Sequence, residues 1–475
     1  MPAPTFFWHD YETFGRVPRR DRPAQFAGLR TDAALNEIGE SVAWYCRPAP
    51  DFLPDPEAVL LTGITPQQAL ARGLPEHEFA ARIEAELGRE GTIGVGYNSI
   101  RFDDEVTRHL FWRNLIDPYA REWANGCGRW DLLDVVRCTW ALRPEGIEWP
   151  SGDDGKPSFR LEKLTAANGL SHEWAHDALS DVRATVALAR LVKSRQPRLW
   201  EFCLKLHRKD AVWAEIGVQR PFVHLSGRYP VERGCLAVVW PLAPHPVNRN
   251  ELIVWDLAHD PRELEAIDVE SARRRLFTRS DALEEGESRL PIKTIHVNKS
   301  PIVIGNLKTL GAAADRFAID VGLAERHAEL ARRLPSLDAL WGGLFAREAR
   351  AEPVDVDEDL YGAFVGNEDR RTLERLRALP AAQLATRHPA LHDPRLEELL
   401  FRYRARNFED TLDAEERERW GRHRAERLHE GRGGGTTLAA YFDRLDALAE
   451  SADERAQGLL EALYDYAESI APERR

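Results

Sequence analysis

The N-terminal part of the chain mixes two hydrophobic periods. Short apolar runs between turn residues predict strands, and apolar positions three or four apart predict helices. The predicted strands are residues 6–15, 25–32, 41–46 and 92–98, with 34–39 as a hairpin connection. The predicted helices cover about 76–87, 103–112 and 130–142, and two more begin at a capping Ser158 and near His176. Because strands and helices alternate, we expect an α/β domain.

The pattern changes after residue 197. Four short strands set off by Gly, Pro and Asn predict a small antiparallel barrel or open sheet: residues 222–225, 235–240, 251–255 and 293–297. One helix, over about 262–277, interrupts them. From about residue 312 the spacing is helical almost throughout, and an acidic stretch at 355–359 separates a last helical domain. The expected domains are therefore 1–197, 198–350 and 351–475.

Composition narrows the protein class. The 475 residues are 43% hydrophobic and 30% charged, which is typical of a globular protein with more than one core. No apolar run reaches about 18 residues, and no signal peptide precedes the first strand, so we expect a cytoplasmic protein without membrane contact. The five cysteines are scattered and predict neither disulfides nor a zinc site. A net charge of -13 argues against non-specific coating by nucleic acid but allows a locally basic channel.

The first strand carries two acids near its end, Asp10 and Glu12. Residues two apart on a strand share a face, so both carboxylates point to one place beside apolar neighbours. Two buried like charges repel, and a divalent cation such as Mg²⁺ or Mn²⁺ would remove the conflict. A strand end that simply reaches solvent explains the pair equally well.

Two later elements add further acids. Asp103 follows an apolar strand and opens a helix, where an acid also complements the helix dipole. Asp181 lies on the helix that begins near His176, five residues after that histidine. Four carboxylates from three elements can hold two metal ions, an arrangement suited to phosphodiester hydrolysis, and a histidine can accept the proton of the attacking water. No P-loop, dinucleotide-binding or nucleophilic Ser or Cys motif competes with this interpretation.

These motifs resemble a bacterial branch of the DEDDh exonuclease family. The likeness extends over essentially the whole chain and includes HDYETFG (9–15), DRPAQFA (21–27), LTGITPQ (61–67), RWDLLDV (129–135) and FRYRARNF (401–408). The resemblance implies an RNase H-like nuclease domain with a mixed sheet, an SH3-like middle domain with an inserted helix, and an all-helical C-terminal domain. It also implies 3′→5′ hydrolysis of single-stranded DNA to nucleoside 5′-monophosphates with two Mg²⁺ ions, or Mn²⁺ as substitute, in DNA repair and recombination.

The resemblance assigns roles to individual residues. Asp10, Glu12, Asp103 and Asp181 match the catalytic metal ligands, and His176 matches the general base. Asp177 excludes the branch that has a tyrosine at this position. Positions that match substrate contacts are Glu12, Arg108, Tyr119, Trp123, Arg137, Arg160, Asn250, Lys293, Val297 and Asn298. Solvated arginines and ordinary core aromatics are the alternative explanation for the side chains outside the acidic quartet.

Partners follow from the same resemblance. We expect a monomer that binds single-stranded DNA and the acidic C-terminal tail of single-strand DNA-binding protein, for which Arg143 matches one basic position. Two other functions remain open. One is a nuclease of the same family acting on RNA or short oligonucleotides, and the other is a non-enzymatic adaptor that retains strand binding. The extra domains argue against the first, and the complete set of acids argues against the second.

Overall fold

The computed structural model describes residues 4–171, 177–346 and 354–473. Contacts divide these residues into two units, and each unit is described by itself. The first contains residues 4–128, 177–183 and 354–473, and the second contains 129–171 and 184–346. Among the described residues, no helix is both long enough and apolar enough to span a bilayer.

A mixed sheet forms the frame of the N-terminal domain. Its strands are β1 (Thr5–Thr13), β2 (Pro23–Thr31), β3 (Glu37–Tyr45), β4 (Thr92–Gly96) and β5 (Gly128–Asp131). The order is β3-β2-β1-β4-β5, with β1 antiparallel to β2 and parallel to β4. This confirms the expected mixed α/β sheet and places β1, which carries Asp10 and Glu12, at its centre. A central strand is held by neighbours on both sides, so its side chains have well-defined positions.

The helices of this domain begin where capping residues allow. They are α1 (Pro56–Thr62), α2 (Pro66–Arg72), α3 (Glu76–Leu87), α4 (Asp103–Arg113), α5 (Leu132–Leu142), α6 (Leu161–Ala167) and α7 (Ala178–Arg195). The predicted start of α5 at residue 130 is wrong, because Asp131 accepts a hydrogen bond from Leu133 N and caps the helix while Trp130 remains in β5. Ser158 is not the cap of α6, since the helix begins only after Arg160.

The second unit contains an antiparallel sheet, as the turn pattern predicts, but it has five strands instead of the four predicted, because Ile302–Ile304 pairs with the first of them. Its strands are β6 (Phe222–Leu225), β7 (Leu236–Pro244), β8 (Glu251–Asp256), β9 (Ile292–His296) and β10 (Ile302–Ile304), in the order β10-β6-β7-β8-β9. The helices that follow α7 through this part of the chain are α8 (Pro197–Lys205), α9 (Lys209–Ile216), α10 (Glu263–Ala266), α11 (Val269–Phe277), α12 (Ala312–Arg316), α13 (Val321–Ala331) and α14 (Asp338–Leu344). The single helix predicted over 262–277 is two helices, because Asp268 accepts a hydrogen bond from Ser271 N and starts a new one.

The C-terminal segment is helical, as predicted, and completes the core of the first unit. It consists of α15 (Asn367–Arg377), α16 (Ala381–Leu384), α17 (Arg395–Asn407), α18 (Ala414–Glu430), α19 (Leu438–Ala449) and α20 (Glu454–Ile470). Phe14, which lies just beyond β1, packs in one apolar cluster with Tyr441 and Leu463 of α19 and α20. Trp112 of α4 belongs to another cluster with Leu399 of α17. The C-terminal helices therefore bury apolar surface against the end of β1 and against α4, the two elements that carry Asp10, Glu12 and Asp103.

A buried group of ion pairs joins the same two parts of the chain. Arg406 of α17 contacts Asp51 at 2.7 Å and Asp357 at 2.5 Å, and all three side chains are at most 2% exposed. Arg22 and Arg402 also contact Asp357, at 3.3 and 3.4 Å. Burial alone would raise the pKa of Asp51, but the charge of Arg406, with hydrogen bonds from His423 and Arg406, holds it well below its usual range. Removing one partner would leave an uncompensated buried charge.

We therefore expect Arg406→Ala to lower the free energy of unfolding by about 3–5 kcal/mol, because Asp51 and Asp357 would both lose their main cation inside the core. Urea denaturation followed by tryptophan fluorescence measures this loss. Arg371→Ala is the matched control, since Arg371 is an exposed arginine of α15, and it should change the value by less than about 0.5 kcal/mol. Equal stability of the two variants would contradict a structural role for the cluster.

Candidate active site

Three acids from two elements meet at the end of β1. Asp10 and Glu12 are two residues apart on the strand and share one face, while Tyr11 between them points to the other. Asp181, in the first turn of α7, faces the same place. One carboxylate oxygen from each of Asp10, Glu12 and Asp181 lies within 4.8 Å of the others. The strand and the helix therefore bring together three of the predicted ligands.

The fourth acid is tied to the same strand by its carboxylate. Asp103 is the first residue of α4 and is 4% exposed. Its Oδ1 accepts a hydrogen bond from the backbone N–H of Tyr11 at 3.2 Å. Thr107, one turn further along α4, donates to the carbonyl of Asp103 at 2.8 Å and lies 3.0 Å from the Tyr11 hydroxyl. These bonds fix Asp103 beside the residue that separates Asp10 from Glu12.

Burial and mutual repulsion dominate the electrostatics of this cluster. Burial, followed by the charges of Asp103, Glu12 and Asp181, raises the pKa of Asp10 well above its usual range. Burial, followed by the charges of Asp181, Asp103 and Asp177, raises the pKa of Glu12 to about 8. The ionised form of such carboxylates is unfavourable without a nearby cation. Carboxylates with pKa values raised in this way are found often at functional sites.

A divalent cation fits the donor set. Ionised carboxylate oxygens are the hard ligands that Mg²⁺, Mn²⁺ and Ca²⁺ take in proteins, and a cation among them would offset the repulsion. Among the described residues, the charges that shift the pKa of Asp10 and Glu12 most are those of other carboxylates, and all of them raise it. Asp10, Glu12 and Asp181 thus form a possible site for a divalent metal ion, with Asp103 adjacent.

The predicted general base, His176, lies outside the described residues. The residue that follows it is described. Asp177 Oδ1 accepts a hydrogen bond from Ser180 N at 3.0 Å, and its carbonyl accepts from Asp181 N at 3.0 Å, so it caps α7 directly before the ligand Asp181. The sequence signal for this cap was available, since an Asp precedes an apolar helical pattern, but Asp177 was singled out only as evidence against a tyrosine.

Besides Glu12, three of the residues predicted to contact the DNA strand lie in the first unit, and they differ in accessibility. Trp123 is 67% exposed, and Tyr119 is half-buried. Arg108 is only 4% exposed, donates two hydrogen bonds to Glu122 at 2.7 and 2.9 Å, and donates a third to Glu105 at 2.8 Å. Its guanidinium also lies 5.3 Å from the centre of the Tyr119 ring. In this structure the ion pairs with Glu122 and Glu105 therefore hold the Arg108 guanidinium in place, and the guanidinium packs against the Tyr119 ring.

The predicted contacts of the second unit are of three kinds. Arg160 and Arg143 are exposed, and Arg137 pairs with Asp134 at 2.8 Å. Lys293 lies 4.2 Å from the centre of the Tyr229 ring, and Asn250 accepts a hydrogen bond from Lys209 Nζ at 2.7 Å. The Val297 side chain is buried, and the Asn298 carbonyl accepts a hydrogen bond from Arg129 at 3.2 Å.

Two exposed aromatic residues beside Tyr119 were missed by the sequence interpretation. Phe364 is 86% exposed, and the centre of its ring lies 6.3 Å from that of Tyr119. Tyr361 is 48% exposed, accepts a hydrogen bond from Arg108 at 3.0 Å and donates one to Glu105. The only sequence signal was an aromatic pair in the Gly-containing stretch after the acidic segment 355–359. The contact with Tyr119 spans more than two hundred positions, which local patterns do not reveal.

Comparison with known proteins gives matches over three consecutive parts of the chain. A family model described as Exonuclease matches residues 7–189, one described as Exonuclease I SH3-like domain matches 207–347, and one described as Exonuclease I C-terminal domain matches 354–470. Together with the two sheets and the helical C-terminal segment, these matches confirm the expected fold class.

Individual relatives match over nearly the full length. Exodeoxyribonuclease I of Escherichia coli (strain K12) is 45% identical over 471 residues, which cover 98% of this chain and 98% of that protein. Solved E. coli exonuclease I in complex with a dA16 oligonucleotide has a TM-score of 0.93 at 45% identity and covers 98% of this chain and 100% of that one. A solved ExoI/SSB-Ct complex has a TM-score of 0.91 at 44% identity and covers 98% and 99%.

Three domain models in consecutive order and a relative 45% identical over 98% of both chains show that this chain belongs to the exonuclease I family of exodeoxyribonucleases.

Proposed function

We propose that this enzyme removes nucleoside 5′-monophosphates from the 3′ end of single-stranded DNA, in DNA repair and recombination. The observation that carries the proposal is the meeting of Asp10, Glu12 and Asp181 within 4.8 Å, beside Asp103, in a member of the exonuclease I family. The solved relative bound to a dA16 oligonucleotide supports single-stranded DNA as the substrate.

The acids take the role of metal ligands, with two Mg²⁺ ions as the preferred occupants. Bound there, the metal ions would activate water and stabilise the leaving oxygen of the phosphodiester. Asp10, Glu12, Asp103 and Asp181 hold the site in place through the rigid strand β1 and the first turns of α4 and α7. Glu12 is also proposed to contact the terminal nucleotide. His176, five positions before Asp181, is proposed as the group that takes the proton from the attacking water.

Strand binding in the first unit rests on an aromatic surface made of Tyr119, Trp123 and Phe364. Bases stack on flat side chains without regard to sequence, and two of these three rings are more than 60% exposed. Arg108 is assigned to bracing this surface. In the second unit, Arg137, Arg160 and Lys293 supply cations for phosphates, while Asn250, Val297 and Asn298 contact the strand through polar and backbone groups.

A second proposed partner is the acidic tail of single-strand DNA-binding protein, which the solved ExoI/SSB-Ct complex supports. Arg143 is exposed and donates to the Leu142 carbonyl at 2.5 Å and to the Thr309 carbonyl at 3.4 Å, contacts that leave guanidinium donors for a carboxylate. Arg316 packs 5.2 Å from the centre of the Trp140 ring in the same unit and adds a second cation beside an apolar surface.

The central experiment is a gel time course on 5′-labelled single-stranded and duplex DNA, with Mg²⁺ or with EDTA. We expect a ladder that shortens from the 3′ side, only on the single strand and only with metal.

Asp181→Asn should lower the rate at least a thousandfold, as expected for loss of a metal ligand in a two-metal site, with an unchanged circular dichroism spectrum. Asp465→Asn, an exposed acid of α20, is the control and should keep full activity.

Other outcomes would redirect the proposal. Shortening from the 5′ end would exclude the assigned polarity, and faster hydrolysis of single-stranded RNA than of DNA would favour the broader nuclease. Tight binding of single-stranded DNA without any turnover in Mg²⁺ would favour the adaptor.

The metal-free enzyme should lose stability as the pH rises. Because Glu12 in the folded state has a pKa of about 8 against 4.5 ordinarily, the folded chain keeps a proton that the unfolded chain releases. The free energy of unfolding in EDTA should therefore fall by roughly 1–3 kcal/mol between about pH 5 and pH 8. Addition of Mg²⁺ at pH 8 should restore it. Urea denaturation measures the slope, and Glu12→Gln should flatten it; an equal slope in that variant would count against repulsion at this site.

Loss of a side chain from the aromatic surface should weaken DNA binding without slowing the hydrolysis step. Phe364→Ala should weaken binding of a fluorescent single-stranded oligonucleotide about tenfold, since one stacked base contributes about 1–3 kcal/mol. At saturating DNA the rate should change little. Phe277→Ala removes another exposed phenylalanine, outside this surface, and should leave the affinity unchanged. A similar loss of affinity in both variants would show a general surface effect instead.

A further inference from the structure

A cavity in the first unit is lined by none of the four acids of the active site. Its volume is about 260 Å³. Three segments line it: the loop that follows β1 (16–21), the segment 51–56 before and at the start of α1, and the end of α18 with the loop and helix α19 that follow. It therefore lies between the nuclease domain and the C-terminal helices of the same unit.

Four arginines contribute to the wall: Arg16, Arg20, Arg427 and Arg444. Arg16 is exposed and makes no ion pair with any other described residue. Arg427 is 5% exposed; its Nη1 makes an ion pair with Asp355 Oδ2 at 3.6 Å, outside the cavity lining, but no hydrogen bond. A buried guanidinium nitrogen without a hydrogen bond is costly unless a ligand or water completes it.

A second buried donor in the wall is equally unsatisfied. Tyr441 is 1% exposed, and its hydroxyl makes no hydrogen bond in the described structure. Thr436 adds another hydroxyl to the same wall. Apolar side chains, among them Phe52, Leu53 and Leu428, form the rest of the lining. The cavity thus combines convergent donors with an apolar side, which is typical of small-molecule sites.

The carboxylates of the wall already have partners of their own. Asp51 is bound by Arg406 at 2.7 Å, and Asp55 accepts from Ala58 N at 3.1 Å and lies 3.6 Å from Arg444. Asp21 accepts from Val17 N at 2.7 Å, and burial raises its pKa to about 6. Arg20 retains only a side-on contact with Glu358 at 3.2 Å. The donors that remain for a ligand are therefore those of Arg16, Arg427, Tyr441 and Thr436.

A glycine-rich loop leads into the cavity wall at Gly435. Gly433 and Gly434 have φ values of 79° and 71°, which side chains rarely adopt. A Cβ on Gly434 would lie 2.9 Å from Arg20 Nη2. Glycine at this position therefore lets the loop approach the Arg20 guanidinium and keeps that cation at the edge of the cavity.

We propose that this cavity binds a phosphate monoester, as inorganic phosphate or as the phosphate of a nucleoside 5′-monophosphate. Arg427 Nη1 and the Tyr441 hydroxyl bind the phosphate oxygens from the buried side, and the exposed Thr436 hydroxyl and Arg16 bind them from the open side. The Phe52 and Leu53 wall accommodates a base. The site shares no residue with the acidic cluster.

The test is isothermal titration calorimetry of the full chain in EDTA, which keeps metal ions from recruiting phosphate to the acidic cluster. Inorganic phosphate, thymidine 5′-monophosphate and thymidine are titrated separately. We expect one saturable site per chain for both phosphates, with a Kd of about 1 mM or lower, and none for thymidine. Tighter binding of the mononucleotide would identify it as the ligand, whereas equal affinities would identify the phosphate group alone.

Two variants locate the site. Tyr441→Phe removes only a hydroxyl that makes no protein hydrogen bond, so the fold should persist, and phosphate affinity should fall about tenfold. Arg16→Ala should weaken binding by a similar factor, while Arg387→Ala, an exposed arginine elsewhere in the unit, should not. Absence of saturable binding up to about 20 mM phosphate, unchanged affinity in both cavity variants, or equal binding of thymidine would overturn the proposal.

Discussion

The mutual repulsion of buried carboxylates is the constraint around which this enzyme is built. Asp10, Glu12 and Asp181 are held within 4.8 Å although each would be more stable in water. Two rigid features impose this closeness, the pleat of the central strand and the first turn of α7, and the Tyr11 N–H holds Asp103 beside them. The energy comes from elsewhere in the unit, where apolar clusters and buried ion pairs surround the strand. The repulsion among the carboxylates thus destabilises the site, and the packing of the rest of the unit offsets that cost.

Much of the fold could be predicted because its signals are local. The helix over Glu76–Leu87 and the strand beginning at Thr92 lie where hydrophobic spacing places them. The errors arose where one side chain competes with that spacing. Asp131 caps α5 and leaves Trp130 in a strand, and Asp268 divides an apparently continuous helix. Capping hydrogen bonds depend on backbone geometry as well as residue type, so periodicity alone places helix ends poorly.

The candidate site shows the same division between local and distant information. The acids could be found because each lies at the start or end of an element with its own pattern. The surroundings of Arg108 could not, because its partners Glu122 and Tyr361 come from separate segments. Arg108 matches a family contact position, and the structure shows its guanidinium enclosed by carboxylates, 5.3 Å from the centre of the Tyr119 ring. Pairing of charges is a tertiary property and leaves no trace in the spacing of the sequence.

Through Phe14, the C-terminal helices help to hold the catalytic strand in place. This side chain follows the catalytic strand by one residue and is 1% exposed because Tyr441 and Leu463 cover it. A nuclease domain excised at residue 197 would present that apolar surface to water, next to acids whose spacing must stay within tenths of an ångström of the productive one. Recombination that exchanged the C-terminal helices alone would therefore disturb both the hydrolysis reaction and the solubility of the protein. We expect the first and last segments of this chain to be inherited together.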